Sequence, residues 1–157
     1  MSTWGKVISI EAQQPSYYAL CGNIALNNCW NIEAIWAVVS DHNGYVDMPV
    51  LDITKPANVG GLSLLNEFNA QQDFSGVIKA TKKTPVITID SLNLQRLDFL
   101  KIDVQGLEIE VVKGAMETIK RCKPIIVVEA NNPSEDWKFL PYPIGKLNNE
   151  NYMIISG

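Results

Sequence analysis

Three segments constrain this chain more than anything else in it. Each is a short, nearly unbroken apolar run with a carboxylate at its end: Val7 to Ile10 closing on Glu11, Leu97 to Val104 carrying Asp103, and Ile125 to Val128 closing on Glu129. Runs of this length and β-branched content read as strands. Strands apolar on both faces need cover on both faces, and helical segments lie between these runs. The combination predicts an α/β fold with a mostly parallel sheet. Pro15 suits the first turn of a helix, and Tyr17, Cys21 and Ile24 follow at helical spacing, with Leu20 and Ala25 widening the stripe. Asn27, Asn28 and Asn31 are stop signals. Leu107 to Cys122 is the clearest helix. Ile109, Val112, Met116 and Ile119 form one face; Glu110, Lys113, Glu117 and Arg121 form the other. Gly114 inside it costs about 1 kcal/mol relative to alanine, so its presence predicts close packing against a strand.

Further strands are expected at Ile32 to Val39, Tyr45 to Val50, Val86 to Asp90 and Tyr152 to Ile155. Asp41-His42-Asn43-Gly44 reads as a turn with positive φ at Asn-Gly, which would return Tyr45 to Val50 as a hairpin. The stretch 51–84 is irregular. It holds Pro56, Gly60, Gly61 and Gly76, and reads as a loop insertion, either a specificity lid or a polar excursion. At 157 residues, the span 1–157 is one domain by size.

Composition narrows the function classes. Hydrophobic residues at 46% exclude a disordered chain. Thirteen Lys+Arg against seventeen Asp+Glu give a net charge of −4. That balance argues against a sequence-independent nucleic-acid binder and against docking on an anionic membrane. No apolar run is long enough to span a bilayer. Met1 to Lys6 lack the pattern of a secretory leader. Cys21, Cys29 and Cys122 form no C-x-x-C pair, and read as reduced thiols of a cytoplasmic protein with no metal site.

Ligands of open α/β sheets bind outside the carboxyl ends of the strands, where Glu11, Asp103 and Glu129 stand. A carboxylate there can accept both hydroxyl protons of a ribose diol, and Glu11 fits that role best. Each acid singly also has a plain structural alternative, as a helix cap or a solvated side chain. Phosphate-cradling G-x-G-x-x-G and G-x-x-x-x-G-K-[ST] patterns are absent. His42 reads as a solvated turn residue, which leaves no nucleophile constellation. Two carboxylates for glycosidic chemistry can be drawn from Asp103, Glu108 and Glu129, but nothing fixes their separation. Trp30, Trp36 and Trp137 are scattered, as core or rim residues are, rather than grouped as a stacking platform.

At this point the residues carry a resemblance. L-D-F-L-K-I-D-V-Q-G-L-E-I-E-V-V-K-G-A, from Leu97 to Ala115, resembles the K-I-D-V-E-G-x-E block of the FkbM-type methyltransferases and the helix after it. P-I-I-V-V-E, Pro124 to Glu129, follows at the family's distance. Gly5 to Gln13 is similar to the family's second strand, and Tyr17 to Asn31 to its next helix. The resemblance implies a Rossmann-like class I methyltransferase sandwich of three layers that uses S-adenosylmethionine. It implies Glu11 and Ala12 at the cofactor ribose, Ala37 near adenine, and Asp103 beside the reactive methyl. It also implies Gln105 and Glu129 on the acceptor side, with Asp103 and Glu108 as catalytic candidates. Asp103 stands there either as a base or as an orienting group. The reaction would be O-methylation of a hydroxyl on a sugar or secondary metabolite, a transfer that rests on positioning and on taking one proton.

The chain departs from the family pattern in two places. Gln105 stands where the family has Glu. The family's first, central strand and its glycine-rich turn precede the segment represented here by Gly5-Lys6-Val7, and only Met1 to Trp4 stand before it. The C-terminus also lacks a final antiparallel strand. The chain therefore reads as a partial domain, and the strands at Val7 and Phe99 are expected either to pair directly or to splay. Three alternatives stay open: an active methyltransferase whose missing turn is supplied by another chain or is dispensable; a truncated or inactive fragment acting as an interaction module; and an unrelated nucleoside-binding domain. A homo-oligomer is a further expectation.

Overall fold

The computed structural model describes residues 5–52, 54–55, 62, 64, 77–129, 137, 144–147 and 152–155. Strand β1 (Val7–Glu11) leads into helix α1 (Gln14–Leu26), and β2 (Ile32–Trp36) returns parallel to β1, with Val7 opposite Ile32 and Glu11 opposite Trp36. Pro15 occupies the first turn of α1, where no N–H is needed. Tyr17, Leu20, Cys21 and Ile24 form the half-buried face of α1, and Ala25 is exposed rather than part of it. The helix stops at Leu26, and Asn28 takes a positive φ of 52°.

The apolar run 32–39 is not one strand. It breaks at Ala37, whose N–H donates to Glu11 O, and continues as β3 (Val38–Val39) paired parallel with β5 (Ile78–Ile87). One run of chain thus joins two sheets, and Ala37, 2% exposed, sits at the crossover.

Three expectations for the middle of the chain are corrected. Strand β4 (Gly44–Leu51) does not fold back on 32–39; it pairs antiparallel with β5, from Gly44 opposite Val86 to Leu51 opposite Ile78. The irregular stretch therefore ends at Ile78, not Thr84. Polar residues obscured this strand: Lys79, Thr81, Lys82 and Lys83 are exposed, so apolar periodicity is missing from its first half. Pro56, Gly60, Gly61 and Gly76 lie outside the described residues. The turn 41–43 is present but carries no positive φ. Asn43 serves it differently, its Oδ1 accepting from the Thr88 N–H at 3.0 Å.

The second half builds a four-stranded sheet. Strand β6 (Phe99–Ile102) pairs parallel with β7 (Ile125–Glu129), and β9 (Tyr152–Ile155) and β8 (Ile144–Leu147) continue it antiparallel in the order β6-β7-β9-β8. Parallel and antiparallel pairs are equally numerous among the described strands, three of each: the β1–β2 sheet is parallel and the other two are mixed. The antiparallel half comes from the β4–β5 ribbon and the β8–β9 hairpin. Strands β1 and β6 are not paired with each other, and each has a hydrogen-bonded neighbour on one side only among the described strands. Of the two expected outcomes, direct pairing of β1 with β6 is not the one observed.

Between β6 and β7 the predicted single helix is two: α2 (Glu108–Lys113) and α3 (Met116–Cys122), with Leu107 as the N-cap of the first. The break has a cause. The Gly114 carbonyl accepts from the Asp90 N–H at 2.9 Å instead of continuing the ladder, and the Ala115 N–H bonds back to Val112 O. The Asp90 carboxylate then caps α3, accepting from the N–H groups of Glu117 (3.1 Å) and Thr118 (2.8 Å). An Asp90→Ala variant leaves both donors without their acceptor. It is expected to lose about 1–2 kcal/mol of stability in urea denaturation, in line with the loss of an N-cap side chain. The main core lies against this unit: Ile102, Val111, Val112, Ala115, Ile119, Ile126, Val128 and Trp137 are all buried. A second cluster, Val38, Met48, Leu51, Leu62 and Val86, fills the space under the β4–β5 ribbon.

Candidate functional site

A cleft opens beyond β1 and β6. Its walls are the ends of β1 (Ile10, Glu11) and of the 32–39 run (Ala37, Val38, Val39), the residues after β6 (Asp103, Val104, Gln105), and Leu107. Ala12, Gln13 and Ser16 close it at the start of α1; Met48, Leu62 and Leu64 close it from the β4 side. Its empty volume is about 690 Å3, part of it open to solvent. The cleft lies beyond the carboxyl ends of β1 and β6, the kind of place at which α/β sheets bind ligands.

Of the residues singled out in the sequence, the structure brings Glu11, Ala12, Ala37, Asp103 and Gln105 to this one cleft. The half-buried Glu11 carboxylate accepts from the Gln13 N–H at 2.7 Å through Oε1. Trp36 at the end of β2 donates Nε1–H to Ala12 O at 3.0 Å, so the 11–13 segment is held from both sides. Gln105 and Gly106 form the turn after β6, with φ of 53° and 103°. A non-glycine residue there costs strain that its surroundings have to hold. Glu108 holds it: both carboxylate oxygens accept from the Gly106 N–H, at 2.9 and 3.1 Å. Glu108 is thus turned onto the loop backbone and is not part of the cleft wall.

Asp103 sits in a web of polar partners. Partial burial raises its pKa, but the Lys101 ammonium at 2.9 Å and hydrogen bonds with Glu129 and Gln105 outweigh this, and its pKa falls below the ordinary carboxylate value. Glu129 enters the site through Asp103, since Ile102 pairs with Val128 and the two acids follow side by side. A carboxylate held in its ionised form is a poor proton acceptor and a good electrostatic anchor. The sign for stability follows. A group whose folded pKa is lowered contributes stability that is present above its unfolded value and lost as pH falls through the folded one. Asp103→Asn is therefore expected to flatten the acid limb of the stability–pH curve below about pH 4, and to leave stability at pH 7 within about 0.5 kcal/mol because the site is largely solvent-screened. Urea midpoints across that range check it.

Sequence reasoning passed over Gln13. It occupies the N-cap position of α1 without capping it, and it is 8% exposed. Ser, Thr, Asp and Asn are the side chains that cap helices, so a glutamine at that position was itself a signal. His42 is exposed and hydrogen-bonded to Asp41, and is not among the residues lining the cleft. Among the described residues, no three His, Cys, Asp or Glu side chains are grouped to hold a metal ion. No described helix is long and apolar enough to cross a membrane.

A cleft lined by Glu11 and Asp103 beyond the ends of β1 and β6 has the position at which open α/β sheets bind ligands. Comparison with protein families is more specific. Residues 2–152 match the methyltransferase FkbM domain, and the chain belongs to that family. Among solved structures it is similar to a methyltransferase FkbM from Methylobacillus flagellatus KT, with a TM-score of 0.63 at 17% identity over 96% of this chain. The match covers 36% of that longer protein. A comparison with curated proteins found no match.

Proposed function

We propose that the cleft binds S-adenosylmethionine and that the protein transfers its methyl group to a hydroxyl of a small acceptor, a sugar or a secondary metabolite. Membership of the FkbM family supports methyl transfer. The observation that carries the cofactor is Glu11, an acceptor carboxylate lining the cleft at the end of β1 and suited to a ribose diol. Ala12 and the buried Ala37 offer small, apolar wall for an adenine ring. In this reading the fold is a Rossmann-like methyltransferase sheet, with β1 and β6 flanking the central position. The bound cofactor supplies an electrophilic methyl on a sulfonium. What remains for the chain is to place the acceptor oxygen in line and to handle one proton.

Asp103 orients in this scheme, since its ionised carboxylate attracts the sulfonium charge and Lys101 and Glu129 hold it. Gln105 faces the acceptor, and Glu129 supports that side through Asp103. Glu108 positions the loop. A net charge of −4 suits an uncharged acceptor better than a polyanion, and three cysteines outside any disulfide suit a reducing compartment.

A second reading, binding without transfer, is favoured by Asp103 itself, because its lowered pKa makes it a poor general base. Calorimetry with S-adenosylmethionine and S-adenosylhomocysteine, together with transfer of labelled methyl to a panel of saccharides, tests both. Binding with transfer supports the enzyme. Binding with no transfer to any hydroxyl acceptor supports the second reading. No heat at high protein concentration overturns both.

A further inference from the structure

We infer that Gln13 is a specificity-determining residue of the cleft, donating its side-chain N–H to a hydrogen-bond acceptor on the nucleoside half of the ligand; this rests on the cofactor reading above. The buried side chain has an amide Nε2 with no hydrogen-bond partner. Leaving a buried donor unpaired is costly, and native proteins do so rarely. The cost is not relieved locally. The Gln13 N–H is bound to Glu11, and its carbonyl accepts from the Tyr17 N–H at 2.8 Å, so the backbone is fixed on both sides. The residue is also the shared wall of two spaces: the main cleft, and a second one of about 340 Å3 bounded by Trp36, Pro49 and Lys82. The other orphaned side-chain atom among the described residues, Thr118 Oγ1, lines neither.

Glu11 and Gln13 therefore form a complementary pair. One is an acceptor for two hydroxyl protons. The other is a donor with nothing to donate to, anchored to the first by a hydrogen bond. A nucleoside presents both halves of that pattern, a diol beside ring nitrogen and oxygen acceptors. A site built to hydrogen-bond a ligand atom discriminates strongly, because a ligand lacking that atom leaves the buried group unpaired.

The test uses the full chain and two readouts of opposite sign. Gln13→Met keeps an unbranched side chain of similar length and removes the orphan. Its ligand-free Tm is expected to rise by about 2–4 °C, the shift that about 1 kcal/mol makes at this size. Its affinity for S-adenosylhomocysteine is expected to fall about 10-fold, with the same ratio for adenosine. Gln13→Glu, which keeps the shape and sets a carboxylate beside Glu11, is expected to bind at least as weakly as Gln13→Met. Unchanged affinity in both variants overturns the inference and leaves the cofactor reading standing. A fall in Tm together with a fall in affinity overturns it too, since that is what a purely structural glutamine would give. If the native protein binds neither S-adenosylhomocysteine nor adenosine, the cofactor reading fails, and the inference fails with it.

Discussion

A Gly114→Ala variant is expected to unfold at roughly 6–12 °C below the native protein, a loss of about 3 kcal/mol. The reason is one contact. A Cβ on Gly114 would lie 2.1 Å from Ser40 O and 3.1 Å from Asp41 Cα. These are backbone atoms, and Ser40 cannot step aside, because its N–H is bound to Ile87 O at the end of the β3–β5 pair. Nor can the helix unit retreat. Gly114 donates to Glu110 O and accepts from the Asp90 N–H, and Asp90 in turn caps α3. The added methyl therefore has to push one sheet away from the unit that joins β6 to β7. Gly22 provides the control. It is exposed in the middle of α1, with nothing within 4 Å of an added Cβ. Gly22→Ala is expected to stabilise by about 0.5–1 kcal/mol through helix propensity alone. Urea denaturation of the two variants should move in opposite directions. Equal shifts would mean that Gly114 is not in contact with Ser40.

That contact was half legible in the sequence. A glycine retained inside an otherwise good helix implied a close neighbour. It did not say that the helix would break there, because the break depends on Asp90, more than twenty residues earlier, supplying an N–H to the Gly114 carbonyl. Similar reasoning covers the rest. The acid-terminated strands were readable from their apolar runs, as in Ile125 to Glu129, although burial alternates along that strand and Ile125 itself is exposed. The β4–β5 ribbon was not, because one exposed face hides Ile78 to Lys83 among lysines and threonines. Positions Glu11 and Asp103 followed from strand ends and from the family resemblance, and Ala37 from the resemblance alone. Glu108 followed from resemblance alone, and the structure finds it on the Gly106 N–H. Gln13 was missed because neither hydrophobic period nor motif marks a buried amide; only the missing cap does.

The largest effect on binding is expected at Glu11. Glu11→Gln keeps the side chain's length and an oxygen for the Gln13 N–H, so the 11–13 segment keeps its hydrogen bonds to Gln13 and Trp36. Folding stability is expected to change by less than about 0.5 kcal/mol, since the carboxylate is only partly buried and no ion pair is lost. Binding is different. Two hydroxyl protons of a diol would meet a charged acceptor in the native protein, and an amide that can accept only through one oxygen in the variant. Charge-assisted hydrogen bonds contribute about 1.5–3 kcal/mol each, so the loss is expected near 3 kcal/mol, about 100-fold in Kd for S-adenosylhomocysteine by calorimetry. Asp103→Asn is expected to cost less, because Lys101, Gln105 and Glu129 already occupy much of the Asp103 carboxylate. The order of the two matters more than either value. Glu11 has its Oε1 on the Gln13 N–H, whereas both oxygens of Asp103 are engaged, by Lys101 and Gln105. A larger loss at Asp103 than at Glu11 would show that the cleft recognises a cation and not a diol, and would move the ligand's anchor from the end of β1 to the end of β6.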